Sequence, residues 1–120
     1  MNTLLFVYGT LKRGCMNHAF LAPQTFVAEA RLRAGYRMFD VGGFPGIVPD
    51  ASAQHEIAGE LWSVTPAGLA ELDRFEGVAE NLYRRQPVRL AAPAAHPTAE
   101  CYLYARAVAG RRDLGTEWRE

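Results

Sequence analysis

The chain opens on a short unbroken apolar run, Leu4 to Tyr8, made mostly of residues that favour extended backbone and cut off by Gly9. Such a run predicts a buried strand that ends abruptly. From Thr25 to Arg37 the pattern alternates imperfectly. Phe26, Ala28, Ala30, Leu32 and Ala34 fall on one side and mostly polar or charged residues on the other. This predicts a long half-buried strand, or two strands with a bend near Gly35. Ile57 to Val64 reads as a further strand, and Tyr83 to Leu90 and Glu100 to Ala105 alternate again. Helical spacing is clearest after Thr65-Pro66, an N-cap followed by a proline at the first helical position. Leu69, Leu72 and Phe75 then share one face, and Gly77 stops the helix. A second, short helix is expected from Cys15 to Ala22, ended by Pro23. The Gly- and Pro-dense segment from Asp40 to Asp50 predicts a loop that carries Phe44, Ile47 and Val48 against the body of the protein. A connection is expected between the last two strands, and a polar, frayed tail from Gly110.

Strands outnumber helices and do not alternate with them regularly. The expected class is therefore α+β, with a strongly curved mixed or antiparallel sheet. A length of 120 residues fits a single core, which places one domain over 1–109 and the tail over 110–120. Composition narrows the class further. With 49% hydrophobic and 22% charged residues, the chain reads as globular rather than disordered or membrane-spanning. The N-terminus lacks the pattern of a secretory signal, so the cytoplasm is the expected location. Thirteen basic residues balance thirteen acidic ones, which argues against non-specific binding of nucleic acid. Arg31, Arg33 and Arg37, the pair Arg84 and Arg85, and the pair Arg111 and Arg112 are read mainly as solvated faces. Cys15 and Cys101 lack zinc-type spacing, and His18, His55 and His96 lack the i, i+4 spacing of a helical metal site. Neither a metal nor a cofactor is expected.

Candidate chemistry gathers in two places. After Tyr8, the glycine gives the backbone freedom to aim the N–H groups of Gly9, Thr10 and Leu11 together into a concavity for an anion; a plain structural turn is the alternative. Gly9 and Gly14 have the glycine spacing of a nucleotide-binding loop, but Cys15 and Met16 stand where lysine and a hydroxyl residue are required, so that reading fails. A Cys15 nucleophile with His18 as its base is a minor alternative without a third group to orient the histidine. The second place is Glu76, at the C-terminal end of the expected helix, where the macrodipole disfavours a carboxylate by about 0.3–1 kcal/mol. Asp73 one turn earlier would add a like charge, and Phe75 and Tyr83 apolar surface. Each effect raises a carboxyl pKa toward the range of a general acid and base. A solvated carboxylate without a role is the other reading.

Taken together, the segments VYGTLKRG, GGFPGIV, GELW, LDRFEG and LYRR, in that order, resemble the γ-glutamylcyclotransferase-like family, which includes the γ-glutamylamine cyclotransferases and the avirulence-induced-gene-like proteins. The resemblance covers the chain from Leu4 to about Tyr104. It implies a compact fold around a small barrel-like sheet, with a cavity at the end of the first strand. It also implies that Tyr8, Gly9, Thr10 and Leu11 form the loop that grips the anionic end of a γ-glutamyl substrate, that Glu76 is the catalytic acid/base, and that Tyr83 lines the pocket. The activity implied is cyclisation of a γ-glutamyl amine or γ-glutamyl amino acid to 5-oxoproline, with a small molecule as the only partner. A non-catalytic module that binds a small anion or γ-glutamyl metabolite on the same fold is the alternative. The pocket for the leaving amine is expected from the loop around Gly42 to Val48 and the connections between later strands, while the identity of that amine and the oligomeric state stay open.

Overall fold

In the computed structural model, which describes residues 1–120, the strands are β1 (Thr3–Val7), β2 (Thr25–Leu32), β3 (Tyr36–Asp40), β4 (Pro45–Pro49), β5 (Ile57–Val64), β6 (Tyr83–Ala92), β7 (Thr98–Tyr104) and β8 (Asp113–Gly115). A single α-helix, α1, runs from Pro66 to Phe75. The barrel closes in the order β1-β5-β2-β6-β7, and β4-β3-β8 form a separate three-stranded sheet. Its pairs are antiparallel except at the closure, where β1 runs parallel to β7 with Leu5 opposite Glu100 and Phe6 opposite Cys101. The expected single α+β domain with a curved, mixed, barrel-like sheet is what forms.

Alternation along the strands explains the closure. Phe6, Leu32, Leu61, Leu90, Cys101 and Leu103 belong to one buried cluster, which also receives Met38 and Ile47 from the smaller sheet. Leu5, Val7, Trp62, Val64, Tyr102 and Tyr104 take part in a second, together with Leu69 and Leu72 of α1. The helix packs outside the barrel, so the first cluster fills its interior. Thr65 starts α1 as expected: its hydroxyl accepts the Gly68 N–H at 3.1 Å, and Pro66 follows. Gly77 ends it at φ 66°.

One glycine sets how tightly the barrel can close. A Cβ on Gly59 would sit 2.4 Å from the Val7 carbonyl oxygen and 2.6 Å from the Phe6 ring. Gly59→Ala should therefore cost about 1–3 kcal/mol, the usual penalty of overpacking. Equilibrium urea unfolding measures it, and a variant as stable as the wild type would show that β1 and β5 can separate freely.

One expectation is settled between its two forms and three are corrected. Residues 25–37 are two strands, broken at Gly35 with φ 120°, the second of the forms anticipated. Cys15–Ala22 is not an α-helix; it is a series of tight turns with one 3-10 turn at His18–Phe20. The Asn17 amide donates to the Thr10 carbonyl rather than one turn back, which fastens the segment to the loop before it. The Gly- and Pro-rich segment is not all loop. Pro45–Pro49 pairs with β3 in the register Met38 opposite Ile47, with its prolines at the two strand ends, where a missing N–H is tolerated. Asp40 accepts the N–H groups of Gly42 and Gly43 at 3.0 and 2.7 Å and so folds the connecting turn. The tail does not simply fray, because Asp113–Gly115 pairs with β3 and the Trp118 carbonyl accepts the Lys12 ammonium at 2.8 Å. No helix is long and apolar enough to cross a membrane.

Candidate active site

Where β1 ends, the chain turns away from the barrel wall and leaves a cavity of about 270 Å³. Tyr8 to Leu11 line one side, Gly43 to Pro45 from the β3–β4 turn another, and Phe75 and Glu76 at the end of α1 a third. Tyr83, Tyr102, Met16 and Asn17 also contribute. Tyr8, Gly9, Thr10, Leu11, Glu76 and Tyr83, the residues singled out from the sequence, are thus brought to one place.

The loop after β1 presents open donors. No protein acceptor takes the N–H groups of Gly9, Thr10 or Leu11, whereas the carbonyls of Gly9 and Thr10 accept the amides of Lys12 and Asn17 at 3.1 and 2.9 Å. The Asn17 side chain adds a 3.1 Å hydrogen bond to the Thr10 hydroxyl. Carbonyls are therefore engaged while three successive amides stay unpaired. Gly9 is required for a reason other than the one expected. Its φ is not positive, but a Cβ there would lie 2.6 Å from Pro45 Cγ. Absence of a side chain, rather than unusual backbone conformation, lets loop and turn meet.

The two tyrosines hold that turn in place. Tyr8 donates its hydroxyl to the Tyr102 carbonyl at 2.8 Å and accepts the Ile47 N–H at 3.2 Å. Tyr83 donates to the Pro45 carbonyl at 2.7 Å. Both hydroxyls are used within the protein, so these side chains face the cavity with their rings. Burial raises the pKa of each, and the charge of Glu76 adds to the effect.

Glu76 is the C-cap of α1 and keeps part of its surface accessible in the cavity. No protein group hydrogen-bonds its carboxylate. Burial raises its pKa to about 7, and this is the whole of the effect: Asp73, the like charge expected to contribute, is engaged elsewhere. Burial alone would raise Asp73 as well, but hydrogen bonds from Arg85 and Tyr102 outweigh it and hold that carboxyl below its ordinary range. Arg85 grips both Asp73 oxygens, at 2.9 and 3.1 Å, and also pairs with Glu100. Arg85→Met should leave the Asp73 charge uncompensated beside Glu76 and raise the Glu76 pKa further. The acid limb of the pH–rate profile should move to higher pH, and an unmoved limb would show that Asp73 lies outside its electrostatic reach.

The minor cysteine reading loses its support. Cys15 does not line the cavity, burial and then the nearby Glu120 charge raise its pKa, and His18 Nδ1 lies 2.9 Å from the Leu11 carbonyl. Among the arginine groups, Arg37 pairs with Asp50 and Asp113, and Arg112 with Asp40. None of the arginines lines the cavity. The loop around Gly42 to Val48, expected from the sequence to help build a pocket, does supply the Gly43–Pro45 wall, whereas sequence reasoning did not find Tyr102. Tyr102 looks like any strand residue, and the wall exists only once β4 pairs with β3.

The small closed barrel thus holds a largely apolar cavity with open backbone donors on one side and a carboxyl of pKa about 7 on the other. Residues 5–120 match the family described as gamma-glutamyl cyclotransferase, AIG2-like, and the chain belongs to it. A human gamma-glutamylaminecyclotransferase is 34% identical over 121 residues, covering 87% of this chain and 78% of that protein. A protein of Arabidopsis thaliana, named provisionally as a gamma-glutamylcyclotransferase, is 37% identical over 97 residues. That match covers 75% of this chain but 52% of the plant protein, so the chain spans about half of its length. The crystal structure of YkqA from Bacillus subtilis superposes with a TM-score of 0.80 at 27% identity, over 98% of this chain and 40% of that one.

Proposed function

We propose that the protein is a cyclotransferase that converts a γ-glutamyl compound to 5-oxoproline and releases the amine. The observation that carries this reading is the pairing, across one cavity, of three unpaired amides with a carboxyl that has no hydrogen-bond partner and a pKa of about 7. The α-carboxylate of the substrate rests on the N–H groups of Gly9, Thr10 and Leu11. Glu76, as carboxylate, takes a proton from the α-ammonium. The freed amine attacks the γ-carbonyl carbon and closes a five-membered ring. The C–N bond to the leaving amine then breaks as the proton on Glu76 passes to that nitrogen, and the surplus proton of the ring nitrogen follows through Glu76 to the released amine, which departs as an ammonium. One group serves in both directions because its pKa lies close to the operating pH, where acid and base roles are balanced. Holding the extended γ-glutamyl chain in a bent conformation brings the two ends within reach, and the walls of the cavity do this by shape.

The family and the human relative support the reading. The test is to incubate the protein with a panel of γ-glutamyl amines and γ-glutamyl amino acids and to quantify 5-oxoproline. Release from at least one is expected. Binding of these compounds without release from any would instead assign the site to a binding module.

A further inference from the structure

The part of the site that receives the leaving amine has a chemistry of its own. Four large apolar side chains in the protein are exposed: Met1, Met16, Phe20 and Phe75. Apart from the terminal Met1, they gather at the mouth of the cavity. Met16 and Phe75 line it, and Phe20 packs on Phe75 with ring centroids 4.2 Å apart. They are 65%, 41% and 38% exposed for Met16, Phe20 and Phe75 respectively. Phe44 faces the same space from the β3–β4 turn. Apolar side chains left open to water and collected at a site mark a surface that something apolar covers.

Charge points the same way. None of the thirteen lysines and arginines lines the cavity. Lys12 donates its ammonium to the Trp118 carbonyl, Arg13 is held by Glu60 and Glu29, and Arg106 is spent on the Glu80 and Asn81 carbonyls. The charged side chain that does line the cavity, Glu76, is negative when ionised. A leaving group that carries its own carboxylate, as every amino acid does, would find no cation here and would share the cavity with a like charge.

We propose that Met16, Phe20, Phe44 and Phe75 form a leaving-group subsite that selects an uncharged aromatic or branched aliphatic amine over an amino acid. The proposal rests on the cyclotransferase reading for which end of the ligand lies where. On it, the γ-glutamyl part occupies the space between the open amides and Glu76. The hydrocarbon of the amine lies against the rim, and the nitrogen takes its proton from Glu76 as the amide C–N bond breaks.

The probes are γ-glutamylbenzylamide and γ-glutamylglycine, which share the γ-glutamyl half. Calorimetry on Glu76→Gln, which lacks the carboxylate charge, reads the share of the apolar rim in affinity without rapid turnover, and 5-oxoproline release by the wild type reads kcat/KM with that charge in place. The benzylamide should be preferred at least about tenfold in both, the discrimination an apolar pocket supplies. Phe75→Ala should lower that ratio, and Met16→Arg, which places a cation on an exposed part of the rim, should lower it about tenfold further by favouring the glycine compound. Equal affinity for the two probes, or a ratio unchanged in both variants, would overturn the proposal while leaving the cyclotransferase reading intact. Failure of the wild type to release 5-oxoproline from either compound, with the affinity ratio retained, would overturn the cyclotransferase reading and still support an apolar subsite.

Discussion

Glu76→Gln should lower 5-oxoproline release by about 10²–10⁴-fold, the usual contribution of a general acid–base group. Glutamine keeps the shape of the side chain at the end of α1 but can neither accept the α-ammonium proton nor return it. In the wild type the base form is required first, so kcat/KM should rise with pH through about 7, where the carboxyl titrates. That rise should vanish in the variant. Stability should respond in the opposite sense. A carboxyl whose folded pKa exceeds its unfolded value holds its proton longer in the native state, so its contribution declines as pH rises from the ordinary carboxylate range to about 7. Above that range the wild type carries an ionised, hydrogen-bond-free carboxylate in a desolvated place, and Glu76→Gln should melt at or above the wild-type temperature. Rate, pH profile and melting curve taken on one preparation decide the matter. Undiminished release by a folded variant would remove Glu76 from the chemistry.

Gly9→Val should lower kcat/KM by about 10²-fold or more, as a displacement of about an ångström in a positioning loop does. The new Cβ would meet Pro45 Cγ at 2.6 Å, and the loop or the β3–β4 turn must give way. Either movement spoils the cavity, because one carries the open amides and the other forms the facing wall. Thr10→Ser is the matched control: the hydroxyl that accepts from Asn17 survives, and so should activity, to within a few-fold. Binding of a γ-glutamyl ligand by Gly9→Val as tightly as by wild type would show that the amides do not hold the anion. Circular dichroism and a melting curve separate a shifted loop from a lost fold.

What the sequence shows of this molecule follows from how local each cause is. Leu4 to Val7, Ile57 to Val64 and the capped helix after Thr65 carry their signals in neighbouring residues, and they form where expected. Strand β4 does not. Its two prolines and Gly46 read as a loop, yet Gly46 is where Tyr104 packs so closely that a Cβ would lie 2.8 Å from the tyrosine Cβ. Only the assembled fold supplies that reason. The same holds at the site. Gly9 and Glu76 were legible as a break after a strand and an acid at a helix end, but the explanations changed. The glycine answers to Pro45 rather than to backbone freedom, and of the causes expected for the acid it is burial that acts and not Asp73, whose charge Arg85 and Tyr102 absorb.

Closure of the barrel by β1 against both β5 and β7 also governs the order in which the molecule can become itself. The first strand of the barrel bonds to β5, more than fifty residues further on, and then to β7, later still. Local helix formation offers little to nucleate on, since α1 spans ten residues, fewer than an isolated helix needs in water. Distant pairings of this kind must close long loops before they return any energy, which places folding in the slower range of about milliseconds to seconds. During synthesis one edge of β1 stays unpaired until Tyr102 and its neighbours emerge. Because the cavity takes its walls from residues 8–11, 43–45, 75–76 and 102, the nascent chain has no binding site until that last strand docks. A truncation series should therefore show ligand binding appear in one step with β7, rather than gradually along the chain.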